Sequence, residues 1–180
     1  MKSLRIAAAV GFAAAVVMAY GAPARAADVT VLGCNEGNAG VIGVRELLGD
    51  VGDTVGVAVT VHTVAAVAEF GLDLAFPTQL LTYVRTDPGS LTAGRGWPIR
   101  GTFRPAEGVV RIGGLDPSAI PAGTTGSLAV VQFEVTAPGM DTFATRAFLG
   151  DLTGYDACNS SSTPTHINFE TWSGVKALYR

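Results

Sequence analysis

An all-β fold, two antiparallel sheets packed as a β-sandwich of the jelly-roll kind, follows from three features of the chain. From Val41 onward it consists of short apolar runs with turn residues between them, and nowhere do apolar residues recur at helical spacing for three turns. Charged residues make up 15% of the chain, against roughly 25% in an ordinary soluble domain, and Val, Thr and Gly fill the gap. Branched side chains suit the pleated, half-buried surface of a strand. Gly49-Asp50, Asp87-Pro88-Gly89, Pro105-Ala106-Glu107-Gly108 and Pro138-Gly139 punctuate the runs with residues that fit tight turns.

The first element is not part of that fold. Lys2 and Arg5 form a basic head, Ile6 to Ala19 is apolar, and Ala22-Pro23-Ala24-Arg25-Ala26-Ala27 supplies small residues around a cut expected after Ala26. These three parts make residues 1–26 a signal peptide. A membrane anchor needs about 20 apolar residues, whereas Gly21, Pro23 and Arg25 break this run. The mature protein is therefore expected to be secreted or periplasmic, with no membrane insertion after cleavage. Loss of Lys2, Arg5 and Arg25 takes the 12 basic residues to nine (12 − 3) against 15 acidic ones, which argues against nucleic acid as a partner.

Residues 27–40 read as an extension: a short Val29-Thr30-Val31-Leu32 run, then the loop chemistry of Cys34 to Gly40. One domain of about nine strands is expected over residues 41–180. Val41 to Leu47 opens it. In Thr54 to His62, Val55, Val57, Val59 and Val61 alternate with small and polar residues, so one face is core. Ala68 to Phe76 buries Phe70, Leu72, Leu74 and Phe76 and turns Glu69, Gly71, Asp73 and Ala75 outward. Leu80 to Arg85, Thr102 to Arg104 and Val109 to Gly113 follow. Ser127 to Thr136 points Ala129, Val131, Phe133 and Val135 inward, and Thr142 to Phe148 and Gly174 to Leu178 complete the set.

Cys34 and Cys158 both survive cleavage into an oxidising compartment, where pairing is the default, so one disulfide is expected. A lipid anchor at Cys34 would need the apolar run to reach it, and Arg25 and Asp28 intervene. Metal is not expected, because no ligand spacing links the cysteines to His62 and His166. Asp116, Asp151 and Asp156 fit turns better than calcium, which wants 6–8 oxygens, about the complement of a dedicated loop. No nucleophile, zinc, phosphate-loop or dinucleotide motif occurs, so neither an enzyme nor a cofactor is expected. Trp97, next to glycines in Gly94-Arg95-Gly96-Trp97-Pro98, offers either a packing residue or an exposed ring that stacks on a sugar.

The order of these elements resembles the cohesin domain. Gly49-Asp50-Val51-Gly52-Asp53-Thr54-Val55-Gly56-Val57 is similar to the opening of that family, and Phe70-Gly71-Leu72-Asp73-Leu74-Ala75-Phe76-Pro77 to its next strand. Val109-Val110-Arg111-Ile112-Gly113-Gly114-Leu115, Gly126-Ser127-Leu128-Ala129-Val130-Val131-Gln132-Phe133-Glu134-Val135 and Leu149-Gly150-Asp151-Leu152 continue the likeness in order. The resemblance implies a non-catalytic module that binds a dockerin-like protein through one sheet face. It places the contact at Glu69, Gly71, Asp73, Arg111 and Asp116. A carbohydrate-binding module on a similar β-sandwich, with polysaccharide held at Trp97, is the alternative.

Overall fold

Alternation in the sequence becomes alternation in space. The computed structural model describes residues 27–34 and 38–157, and its longest uninterrupted valine pattern forms β4 (Thr54–His62), with Val57, Val59 and Val61 buried. β4 lies between β2 (Ile42–Val44) and β9 (Thr125–Val135), and β9 also pairs with β6 (Leu81–Pro88), giving one antiparallel sheet in the order β2-β4-β9-β6. The facing sheet has the order β11-β5-β8-β7. Its central strands are β5 (Val67–Ala75) and β8 (Val109–Ile120), flanked by β7 (Arg100–Arg104) and β11 (Ala144–Gly150). Phe76 joins the two layers: its ring lies 5.5 Å from Phe103 of β7 and 4.8 Å from Phe133 of β9. Leu72, Leu74, Val110 and Ile112 fill the same core from the second sheet.

Three differences from the sequence reading have physical causes. The Val29–Leu32 run, read from sequence as part of an extension over residues 27–40, is a strand of the fold, β1. It sits between β3 (Leu47–Gly49) and β10 (Gly139–Thr142), with Val29 and Val31 fully buried. The expected strand Val41 to Leu47 divides into β2 and β3 in different sheets, because exposed Arg45 and Glu46 carry the chain from one to the other. Likewise Thr142 to Phe148 spans the change from β10 to β11 around buried Phe143. A short helix, α1 (Ser90–Ala93), also occurs, its Thr92 hydroxyl donating to the Leu128 carbonyl at 2.8 Å. Cys158, His166 and the expected strand Gly174 to Leu178 lie outside the described residues, as does the leader 1–26. No described helix is long and apolar enough to cross a membrane.

Candidate partner-binding face

Because side chains in a strand alternate, burying Phe70, Leu72 and Leu74 forces Glu69, Gly71 and Asp73 to the outer surface of the β11-β5-β8-β7 sheet. The same holds for Arg111 between Val110 and Ile112. Register then aligns these outer residues into rows across the strands. One row is Ala144, Ala75, Val109 and Arg104; the next is Arg146, Asp73, Arg111 and Thr102; a third is Leu149, Gly71, Gly113 and Arg100; and Glu69 pairs with Leu115 beyond it.

The second row is a rigid electrostatic unit. Arg111 donates from Nε to Asp73 Oδ1 at 2.8 Å and from Nη2 to Oδ2 at 2.9 Å, and Arg146 Nη2 reaches Oδ2 at 3.3 Å. A forked guanidinium on a carboxylate fixes both side chains in one plane. Asp73 is only 5% exposed although it faces outward, because the arginines cover it. The Arg111 hydrogen bonds hold its carboxyl below the usual aspartate range against the opposing cost of burial, and Arg146 adds in the same sense. The Arg111 guanidinium also lies 4.3 Å from the centroid of the Phe148 ring, a cation–π contact. That ring rests on Gly71, where a Cβ would come within 2.9 Å of Phe148 Cζ and 3.0 Å of Leu149 Cβ. Gly71 is therefore the space into which the ring packs.

Two shallow clefts flank this charged row. One, of about 500 Å³, is bordered by Asp73, Glu107, Val109 and Arg146. The other, of about 460 Å³, is floored by Phe70, Gly113 and Gly114 and walled by Leu115, Leu149, Glu69 and Arg100. Leu115 is 64% exposed and Leu149 55%. The face thus offers fixed charge, exposed apolar side chains and relief.

Of the residues singled out from sequence, Glu69, Gly71, Asp73 and Arg111 share this face. Asp116 does not join the charged unit: its carboxylate accepts from the Ser118 backbone N–H at 2.7 Å and from the Ser118 hydroxyl, which lowers its pKa and closes a local bend. Asp151 is engaged similarly, accepting from the Ala68 and Glu69 N–H groups. Trp97 is corrected. It is 2% exposed and stacks on Phe70 at 6.1 Å, so its ring presents no free surface to a sugar. Sequence reasoning missed Arg146, Phe148, Leu149, Leu115, Gly113 and Arg100. Outward alternation along β7, β8 and β11 was the available signal.

The cohesin domain family model matches residues 41–170. Among solved structures, similar chains include a non-cellulosomal cohesin from Archaeoglobus fulgidus, 18% identical over 56% of this chain and 83% of that one, with a TM-score of 0.42. The third ScaC cohesin of Acetivibrio cellulolyticus, solved in complex with the ScaB dockerin, is 19% identical over 63% of this chain and 80% of that one, TM-score 0.44. CaCohA2 from Clostridium acetobutylicum is 26% identical over 49% and 59%, TM-score 0.38. None of the curated proteins compared is significantly similar.

Proposed function

This chain belongs to the cohesin domain family, a family of non-catalytic binding modules, and from that premise we propose that it binds a dockerin-like module of another protein through the β11-β5-β8-β7 face. The observation that carries the reading is the pre-formed Arg146, Asp73 and Arg111 row beside Phe148. Side chains already held in place lose little conformational freedom when a partner docks. Exposed Leu115 and Leu149 supply apolar contact next to it. The same reading includes export directed by residues 1–26, cleavage after Ala26, and a disulfide between Cys34 and Cys158.

Gly113 gives a direct test. It sits at the centre of the third row, and a Cβ built there meets only the Phe70 carbonyl oxygen, at 3.4 Å. Gly113→Leu should therefore fold normally while its side chain fills the cleft. Titration of the mature chain, residues 27–180, against a panel of purified dockerin modules should find binders, and Gly113→Leu should weaken them at least tenfold with an unchanged thermal melt. Failure of every dockerin would overturn the partner class. Binding that survives Gly113→Leu would overturn the face.

A further inference from the structure

In sequence β1 stands apart from the rest of the sandwich, while in space it completes it. The cohesin family model begins at residue 41, so Val29–Leu32 precedes it, whereas β3 and β10 both fall inside it. Among the described residues β3 and β10 do not pair with each other, and the ladder partner of each is β1, antiparallel to β3 and parallel to β10. Without β1 those two strands would border an open groove, with unpaired N–H and C=O groups along both sides. The ladder runs past the ends of β1. Gly139 N–H donates to the Asp28 carbonyl at 3.0 Å and Phe143 N–H to the Leu32 carbonyl at 2.9 Å, while Asp28 N–H donates to Asp50 Oδ1 at 3.2 Å. Side-chain demands alternate along the strand. Val29 and Val31 point inward and are fully buried, and Val29 lies in register between two glycines, Gly49 and Gly139. Thr30 faces outward, between exposed Leu48 and Met140. At Gly33 a Cβ would collide with the Val44 carbonyl oxygen, so no larger residue can follow the strand there.

We infer that the groove between β3 and β10 is a strand-acceptor site, filled here by residues 28–32 of the same chain and open to the same kind of segment offered in trans. Its ligand class is an extended peptide with valine-sized branched side chains at two alternate positions, no charge at either, and a glycine two positions after the second. Strand addition supplies main-chain hydrogen bonds, which any extended peptide can make, while burial of every second side chain supplies selectivity. Insertion between two open edges engages both sides of the peptide backbone at once, which is how so short a strand is held. A charge at either inner position would be buried without a partner, so the site fixes the phase of the segment as well as its composition. A slip of one residue turns Thr30 inward together with Asp28 or Leu32. This groove belongs to a different sheet from the Arg111 row, and it is independent of the proposed use of that face.

The test uses the mature chain carrying both Val29→Asp and Val31→Asp, which cannot seat its own β1 and so presents the groove empty. Its melting temperature should fall by roughly 5 °C or more, and a synthetic peptide of residues 27–33 should bind it one to one and recover most of that loss. The native chain, whose groove is filled, should not bind the peptide. Selectivity should follow the alternation: Thr30→Lys in the peptide should change its affinity by less than about threefold, as at a surface position. Val29→Asp or Val31→Asp in the peptide should weaken it at least about tenfold, through a buried charge. If the variant chain is unfolded alone, the peptide should fold it. A variant chain that neither binds the peptide nor folds in its presence would overturn the inference, as would equal binding of the Thr30→Lys and Val31→Asp peptides.

Discussion

Asp73 ties the charge of the proposed binding face to the stability of the sheet that carries it. A carboxylate at an outward strand position would ordinarily be solvated, but here two arginines cover it and lower its pKa. The sign of the pH effect follows. The folded value lies below the ordinary one of about 3.9, so the contribution to stability is complete above about pH 4 and is lost as pH falls through the folded value. Asp73→Asn keeps the shape and removes the charge, leaving Arg111 and Arg146 without their shared acceptor. It should lower the melting temperature at pH 7 by roughly 3–8 °C, on the scale of a lost hydrogen bond to a charged group. The gap between native and variant melts should narrow as pH falls below the ordinary carboxylate range of about 4 and close once pH passes the lowered folded value, where both carry a neutral group. A constant gap from pH 7 to pH 2.5 would mean that packing, not charge, holds this site.

At the scale of elements, β11 decides the shape of the face. Its pairing with β5 shifts between Ala147 and Leu149, and this bulge brings both Phe148 and Leu149 over Gly71. Gly150 then turns the chain at φ 78°, where a Cβ would lie 2.5 Å from the Glu69 carbonyl oxygen. Asp151 completes the latch, donating its N–H to that carbonyl at 3.0 Å and accepting from the Ala68 and Glu69 N–H groups at 2.7 and 3.1 Å. Gly150→Ala should cost about 1–3 kcal/mol in denaturant unfolding, through unfavourable φ and a collision with backbone that cannot move aside. A cost below 0.5 kcal/mol, the ordinary surface range of about that size, would show the latch to be compliant. The bulge also explains what could be read in advance. β4, β5 and most of β9 were legible because their alternation is long enough to announce a half-buried strand. β1 was not, since four residues carry little periodicity and one of its partners, β10, is parallel and more than a hundred positions away. Alternation turned Asp73 and Arg111 outward, each on its own strand, and the family resemblance put them on one face, but Arg146 opposite them depends on inter-strand register, which a single sequence does not encode.

For the molecule as a whole, the ends of the fold converge on one strand. Cys34 N–H donates to the Val44 carbonyl at 3.0 Å, and its Sγ lies 3.8 Å from the Ile42 carbonyl oxygen. From the other end of the domain, the Asp156 carbonyl accepts from Ile42 N–H at 2.9 Å, and Asp156 N–H donates to Gly40 at 2.8 Å. Asp156 is two positions before Cys158, so β2 holds the chain on either side of the proposed disulfide at the same place. Closing so long a loop restricts the unfolded chain by about 4–5 kcal/mol in the entropy model, a ceiling that native strain reduces. Reduction of the exported protein should therefore lower its melting temperature by several degrees, and Cys34→Ser with Cys158→Ser should reproduce that shift and make the melt insensitive to reductant. Binding at the β11-β5-β8-β7 face should survive, because none of its rows includes a residue of β1 or β2. Two titratable thiols in the denatured, unreduced protein would exclude the bond, and a simultaneous loss of binding on reduction would show that the face depends on this end of the sandwich after all.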